Sequence, residues 1–107
     1  MVETDFINEK RFLSSFVRGK FLSNKWGKNK IRVALRKKKF DDERINEALQ
    51  KIDDSEYQKT AEKLLQRKLD LIEHVDRKEK SKLYYYMLSK GYESDVVSAV
   101  IKKVVRD

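Results

Sequence analysis

Apolar residues along this chain recur at spacings of three and four. Ile31, Ala34 and Leu35 are followed by Ile45, Ala48, Leu49 and Ile52, the stripe of a helix with one buried face. The segment "SEYQKTAEKLLQRKLDLI" places Tyr57, Ala61, Leu64, Leu65, Leu69 and Ile72 on one side. The earlier "NEKRFLSSFVRGKF" offers Phe12, Phe16 and Val17 in the same way. The pattern predicts six helices, at about 8–22, 25–38, 41–51, 54–72, 76–90 and 93–105.

These segments repeat. With the chain displaced by 52 positions, "KNKIRVALRKKKFDDERINEALQKI" lies over "KSKLYYYMLSKGYESDVVSAVIKKV" without a gap. Ile31 then meets Leu83, Leu35 meets Met87, Phe40 meets Tyr92, Asp41 meets Glu93, Ile45 meets Val97, Leu49 meets Ile101 and Ile52 meets Val104. Identities are few but apolar character is kept, as in a repeated packing unit. The preceding helices superpose with a shift of 48, so the linker "DLIEHVDRKE" is 4 residues longer in the second unit. Asp41 suits the cap of the helix it precedes. Gly91 sits where a helix ends in a left-handed residue, and the alignment puts Lys39 there in the first unit. A shared turn would force Lys39 to positive φ at about 1 kcal/mol.

The expected architecture is all-α: two tandem three-helix repeats, residues 1–52 and 53–107, forming an elongated, curved helical array. Composition agrees, with no Pro, three Gly and 41% charged residues against 39% hydrophobic ones in 107 residues. Such a chain builds a thin, extended core. It has no Cys and no apolar run near the roughly 20 residues that cross a bilayer. "MVETDF" lacks the pattern of a secretory signal. The reading is a soluble, cytoplasmic protein with no membrane partner.

Charge sharpens the picture. Residues 1–52 carry 14 basic and 7 acidic side chains, and residues 53–107 carry 12 and 11, so nearly all of the net +8 lies in the first half. Between Lys10 and Phe40 there are 12 Lys or Arg and no acid in 31 residues. On a helix starting near Lys25, residues Lys25, Lys28, Arg32, Arg36 and Lys39 share a face. Lys37 and Lys38 widen it, and Arg18 and Lys20 join from the preceding helix. Such a row suits phosphate or an acidic protein surface; the plainer reading is a solvated face, which the missing acids weigh against. Trp26, beside Phe21, either stacks on a partner or plugs the gap at Gly27. Of the three tyrosines in "YYYM", Tyr84 aligns with Arg32 and is expected to be exposed, either touching a partner or packing on the neighbouring unit. Lys78, Lys80 and Lys82 sit among acids and read as solvated.

No catalytic constellation emerges. His74 is the only histidine, no Gly-rich phosphate loop exists, and no metal-ligand set converges. A non-enzymatic protein without metal, cofactor or small-molecule substrate is expected.

The linker "KWG", then "KIRVALRKKKF" with "IxxAL" after it, resembles the RecX regulators of RecA recombinase. So does "AEKLLQRKL" followed by "KLYYYMLSKGYESDVVSAVI". The resemblance spans about residues 5 to 105 and corresponds to the second and third three-helix units of that family. It implies a regulator that binds the groove of the RecA nucleoprotein filament and inhibits or destabilises it, modulating recombination and the DNA-damage response. The competing reading is direct binding of single- or double-stranded DNA, with "IRVALRKKKFDDERINEALQKI" as a helix-turn-helix. The mixed face of Glu43, Arg44, Asn46, Glu47 and Gln50 suits a groove poorly. A basic scaffold for some unrelated acidic protein is a third reading.

Overall fold

A computed structural model describes residues 2–105, with side chains from residue 8 onward. Residues 1, 106 and 107, the outer ends of the two expected units, lie outside the described residues. Six helices follow one another: α1 (Val2–Asn24), α2 (Lys28–Lys37), α3 (Asp42–Gln50), α4 (Asp54–Leu69), α5 (Arg77–Ser89) and α6 (Ser94–Val104). There is no strand among the described residues. The helices pack in two sets of three, α1–α3 and α4–α6, end to end in a body of 58 × 22 × 20 Å.

α1 begins six residues earlier than the apolar pattern predicts, because no Gly or Pro interrupts residues 2–8. Its buried stripe is Leu13, Val17 and Phe21, not Phe12, Phe16 and Val17; Phe12 is 42% exposed and Phe16 half-buried. The repeat explains why. At the shift of 48, Leu13 and Val17 coincide with Ala61 and Leu65, both fully buried on α4.

The two repeats stop their middle helices identically. In the first, Phe40 N–H donates to the Leu35 carbonyl (3.3 Å) and Lys39 N–H to that of Arg36 (2.9 Å). In the second, Tyr92 N–H donates to Met87 (3.3 Å) and Gly91 N–H to Leu88 (2.9 Å). This is the paired bonding of a left-handed helix stop. Lys39 takes φ 71° where Gly91 takes 99°. Asp41 then caps α3, accepting from Arg44 N–H at 2.9 Å, as Asp53 caps α4 and Asp76 caps α5. Glu93 does not cap α6 with its side chain; that carboxylate accepts the Tyr57 hydroxyl instead.

The core is one continuous strip. Ile31, Leu35, Ile45 and Leu49 fill the first repeat, and Leu65, Met87, Val97 and Val100 the second. Phe21, Tyr57 and Tyr92 bridge them, with ring centroids 5.8 and 5.3 Å apart in turn. Around those rings the backbones touch. Gly27 N–H donates to the Lys90 carbonyl (2.7 Å), Asn29 N–H to Gly91 (2.8 Å), and the Tyr92 hydroxyl to the Lys25 carbonyl (2.9 Å). The α1–α2 linker of one repeat is thus seated on the α5–α6 turn of the next. This joint fixes the orientation of α2, which carries Lys28, Lys30, Arg32, Arg36 and Lys37.

Candidate functional site

α2 is shorter than expected and starts at Lys28, after an extended Gly27. Lys25 lies in the linker at φ 59°, its Nζ donating to the Leu22 carbonyl at 2.8 Å. It therefore does not continue the helical row, and neither does Lys39, which follows the helix stop. The expected five-residue stripe shortens to Lys28, Arg32 and Arg36. These run along the edge of α2 beside α3.

That edge is partly satisfied within the molecule. Arg36 Nε bonds Asp42 Oδ1 at 2.8 Å, with the second guanidinium nitrogen 3.3 Å from Oδ2. The hydrogen bond and charge of Asp42 hold the Arg36 pKa above its ordinary value, and the Arg36 bond pulls Asp42 below its own. Arg32 donates to Asn29 (2.9 Å) and Asn46 (3.3 Å). The Lys28 N–H, first of α2, donates to the Tyr57 hydroxyl at 2.9 Å while its Nζ lies 4.6 Å from that ring's centre. Absence of acids along the sequence did not mean absence of acids in space, because α3 folds back with Asp42 against Arg36.

The opposite edge of α2 is different. Lys30, roughly 160° around the helix from Arg32, places its Nζ 4.8 Å from the centre of the Trp26 ring. Lys20 of α1 places its own 5.0 Å from the same ring and 5.5 Å from Phe16. Lys38 sits 5.7 Å from Phe16 and 6.0 Å from Phe12. Phe12 stacks on Phe40 at 5.6 Å and lies 5.7 Å from Phe16. Between α1 and α2, then, is a ledge of aromatic rings bordered by ammonium groups. Among the described residues no carboxylate pairs with Lys20, Lys30, Lys37, Lys38 or Lys39. Trp26 is half-buried against the core and so plugs the linker gap while keeping part of its ring at the surface. Phe21 is core.

Two expected residues lie elsewhere. Arg18 is exposed on α1, about 200° from Phe16, and lines the groove between α1 and α3. Tyr84 is half-buried, edge-on to Tyr85 at 5.5 Å, and Tyr85 is the exposed member of the trio at 67%. Sequence reasoning missed Lys30, Phe12, Phe16 and Phe40. Lys30 was legible as the residue opposite Arg32 on a helical wheel; the ring cluster needed the fold. No group of His, Cys, Asp or Glu among the described residues is arranged to hold a metal ion. None of the helices, over those residues, is long and apolar enough to cross a membrane.

Two three-helix repeats clamped end to end, with basic and aromatic groups gathered on one of them, define a tandem helical-repeat protein. Comparison with known proteins sharpens this. Residues 8–49 match the model of the RecX second three-helix domain, and residues 54–101 that of the RecX third three-helix domain. The chain belongs to the RecX family. It is 36% identical over 104 residues to "Regulatory protein RecX" of Clostridium beijerinckii, covering 94% of this chain and 48% of that protein. The protein of the same name from Clostridium botulinum (strain Eklund 17B) is 33% identical over 106 residues, 96% of this chain and 49% of the relative. The chain spans about half the length of these curated relatives. No solved structure matches it.

Proposed function

We propose that this chain is a non-enzymatic regulator that binds the RecA–DNA filament and inhibits or destabilises it. Family membership supports a regulatory role. The observation that carries the mechanism is the ledge of Lys20, Trp26, Lys30, Phe16 and Lys38 on the first repeat, where cations gather without internal carboxylates. Unpaired ammonium groups around rings favour an anionic partner surface, and a body 58 Å long offers that surface over more than one protomer of a filament. The working residues in this reading are Lys20, Trp26, Lys28, Lys30, Arg32, Lys37, Lys38 and Lys39, with Arg36 held back by Asp42. Arg18, Lys25 and Tyr84 contribute less, being turned aside or used internally. We also place the division between the units at residues 52 and 53, where Ile52 closes the first core and Asp53 caps α4.

Direct binding of single-stranded nucleic acid is the second reading, and Trp26 held between two ammonium groups favours it, since such a ring accepts any base. A helix-turn-helix mode is less favoured, because Asp42, Glu43 and Glu47 stand on α3, the helix that would enter a groove.

Fluorescence anisotropy of labelled single-stranded DNA, bare and coated with RecA, tests the two. Preference for the coated strand or release of its RecA, both lost in Lys20→Glu/Lys30→Glu, supports the regulator. Equal or tighter binding to bare DNA, falling steeply with salt, overturns it in favour of a nucleic-acid-binding module.

A further inference from the structure

Each half of the joint between the two repeats has a counterpart elsewhere in the described residues. In the joint, the upstream repeat supplies its α1–α2 linker, and the downstream repeat supplies Tyr57, Lys90, Gly91 and Tyr92 as the seat. The shifts of 48 and 52 carry Tyr57, Lys90 and Tyr92 onto Glu9, Lys38 and Phe40. Those three residues, with Asn8 and Phe12, line an open hollow of ≈ 480 Å³ on the first repeat. At the far end, the linker equivalent to Lys25–Gly27 is 70–76, "DLIEHVD". It carries Leu71, 81% exposed and the most exposed of the large hydrophobic residues described.

The two halves match in charge and in shape, although Asp70 also accepts from Gln66 (2.8 Å) and Asp76 from the Glu79 N–H (2.9 Å). The linker 70–76 has three acids and no Lys or Arg, whereas residues 36–39 are Arg-Lys-Lys-Lys. Glu9 does not spoil the seat, because its carboxylate is engaged by Arg44. The hollow has an aromatic floor, Phe12 stacked on Phe40, fit to receive an aliphatic side chain. Both halves also depart from the internal joint in a compensating way. Gly91 allows direct backbone contact, since a Cβ there would lie 2.4 Å from Lys30 Cβ. Its counterpart Lys39 has a Cβ and forbids such an approach. The linker that would meet it is four residues longer and can stand off while still reaching the hollow.

We propose that the Asp70–Asp76 linker of one copy docks into the Asn8–Phe12–Lys38–Phe40 hollow of a second copy. Leu71 rests on Phe12 and Phe40, and Asp70, Glu73 and Asp76 face Lys37, Lys38 and Lys39. The contact is head-to-tail, so each copy added leaves a free hollow and a free linker, and the chains line up in an open row. Charge pairing at an exposed surface makes it weak and salt-sensitive.

Sedimentation velocity of the chain alone, without RecA or DNA, reads this independently of the regulatory function. The expected result is an average mass that climbs with concentration past two chains and falls back in high salt. Glu73→Lys and Lys38→Glu each abolish the association, with helical circular dichroism unchanged. A mixture of the two variants restores it as a row in which the variants alternate, since both contacts between unlike chains then pair opposite charges while contacts between like chains repel. Leu71→Asp, a change at a side chain the fold does not use, weakens it at least tenfold. A single-chain mass at every concentration overturns the proposal, and is the result if the hollow is the seat of a preceding three-helix unit in a longer chain. A closed dimer, or association indifferent to these variants, overturns it equally.

Discussion

A Cβ built on Gly27 would lie 2.3 Å from the carbonyl carbon of Gly91, 64 positions further along the chain. No side chain fits between them, so the repeats are held at a spacing that only backbone-to-backbone contact allows. Gly27→Ala must push the two apart, and it should destabilise the protein by about 1–3 kcal/mol, the range for overpacking a close contact. Gly19→Ala is the control. It lies within α1 with nothing within 4 Å of the added methyl, and should stabilise by about 0.4–1 kcal/mol. Urea denaturation of both variants checks the opposite signs.

The Tyr57 hydroxyl has two tasks: it accepts from Lys28 N–H at the start of α2 and donates to Glu93. Tyr57→Phe leaves both partners without that bond and should cost about 1–3 kcal/mol. The same denaturation experiment measures it, and exchange of the Lys28 amide should quicken.

Alkaline pH should loosen the same joint. Burial, followed by the bond to Glu93, pushes the Tyr57 phenol well above its usual range. Burial, followed by the charges of Tyr86 and Glu93, does so for Tyr92. The folded state keeps both protons where the unfolded chain gives them up near pH 10. Stability from these groups is therefore fully present below about pH 10 and is lost as pH rises above it. Denaturation midpoints at pH 8 to 11 should fall less steeply in Tyr92→Phe than in the unaltered chain.

Lys39 occupies a left-handed position at φ 71° that glycine fills in the other repeat. Lys39→Gly should raise stability by about 1 kcal/mol. If the lysine is there for its charge, the same variant binds the RecA-coated strand more weakly in the anisotropy assay. A gain in stability with unaltered binding would leave Lys39 without that role.

Arg36 and Lys30 lie on the same helix yet should behave differently. Arg36 already bonds Asp42 in two places, whereas Lys30 rests on the Trp26 ring. Lys30→Ala should weaken binding to the coated strand several-fold, and Arg36→Ala should change it little. Equal losses would mean that the Arg36–Asp42 pair opens on binding.

The six helices and their pairing were legible because the buried positions repeat at fixed shifts and Asp41 and Gly91 mark the ends. Even the positive φ at Lys39 followed from aligning it with glycine. Lys25 was misread as helical because no apolar periodicity distinguishes a linker from a first turn, and its φ of 59° accompanies a carbonyl that accepts from Tyr92, far away in sequence. Phe12 and Phe16 were assigned to the core because aromatic bulk looks buried in a list of residues. Leu13, smaller but one position further along, has the correct phase. The basic stripe failed in its geometry for a similar reason: a row drawn on one helix takes no account of the Asp42 that α3 brings alongside. Tyr84 was expected outward from its alignment with Arg32, yet the outermost ring of α5 is Tyr85.

The seating of the three-residue linker on the Gly91 turn has a mechanical side. With two backbone bonds and three rings across the boundary, the repeats cannot swivel like beads on a cord. The molecule is a stiff strut 58 Å long. A strut can settle only into a track whose curvature already suits it, so selectivity for one helical lattice over another can reside in its rigidity, apart from any single charge.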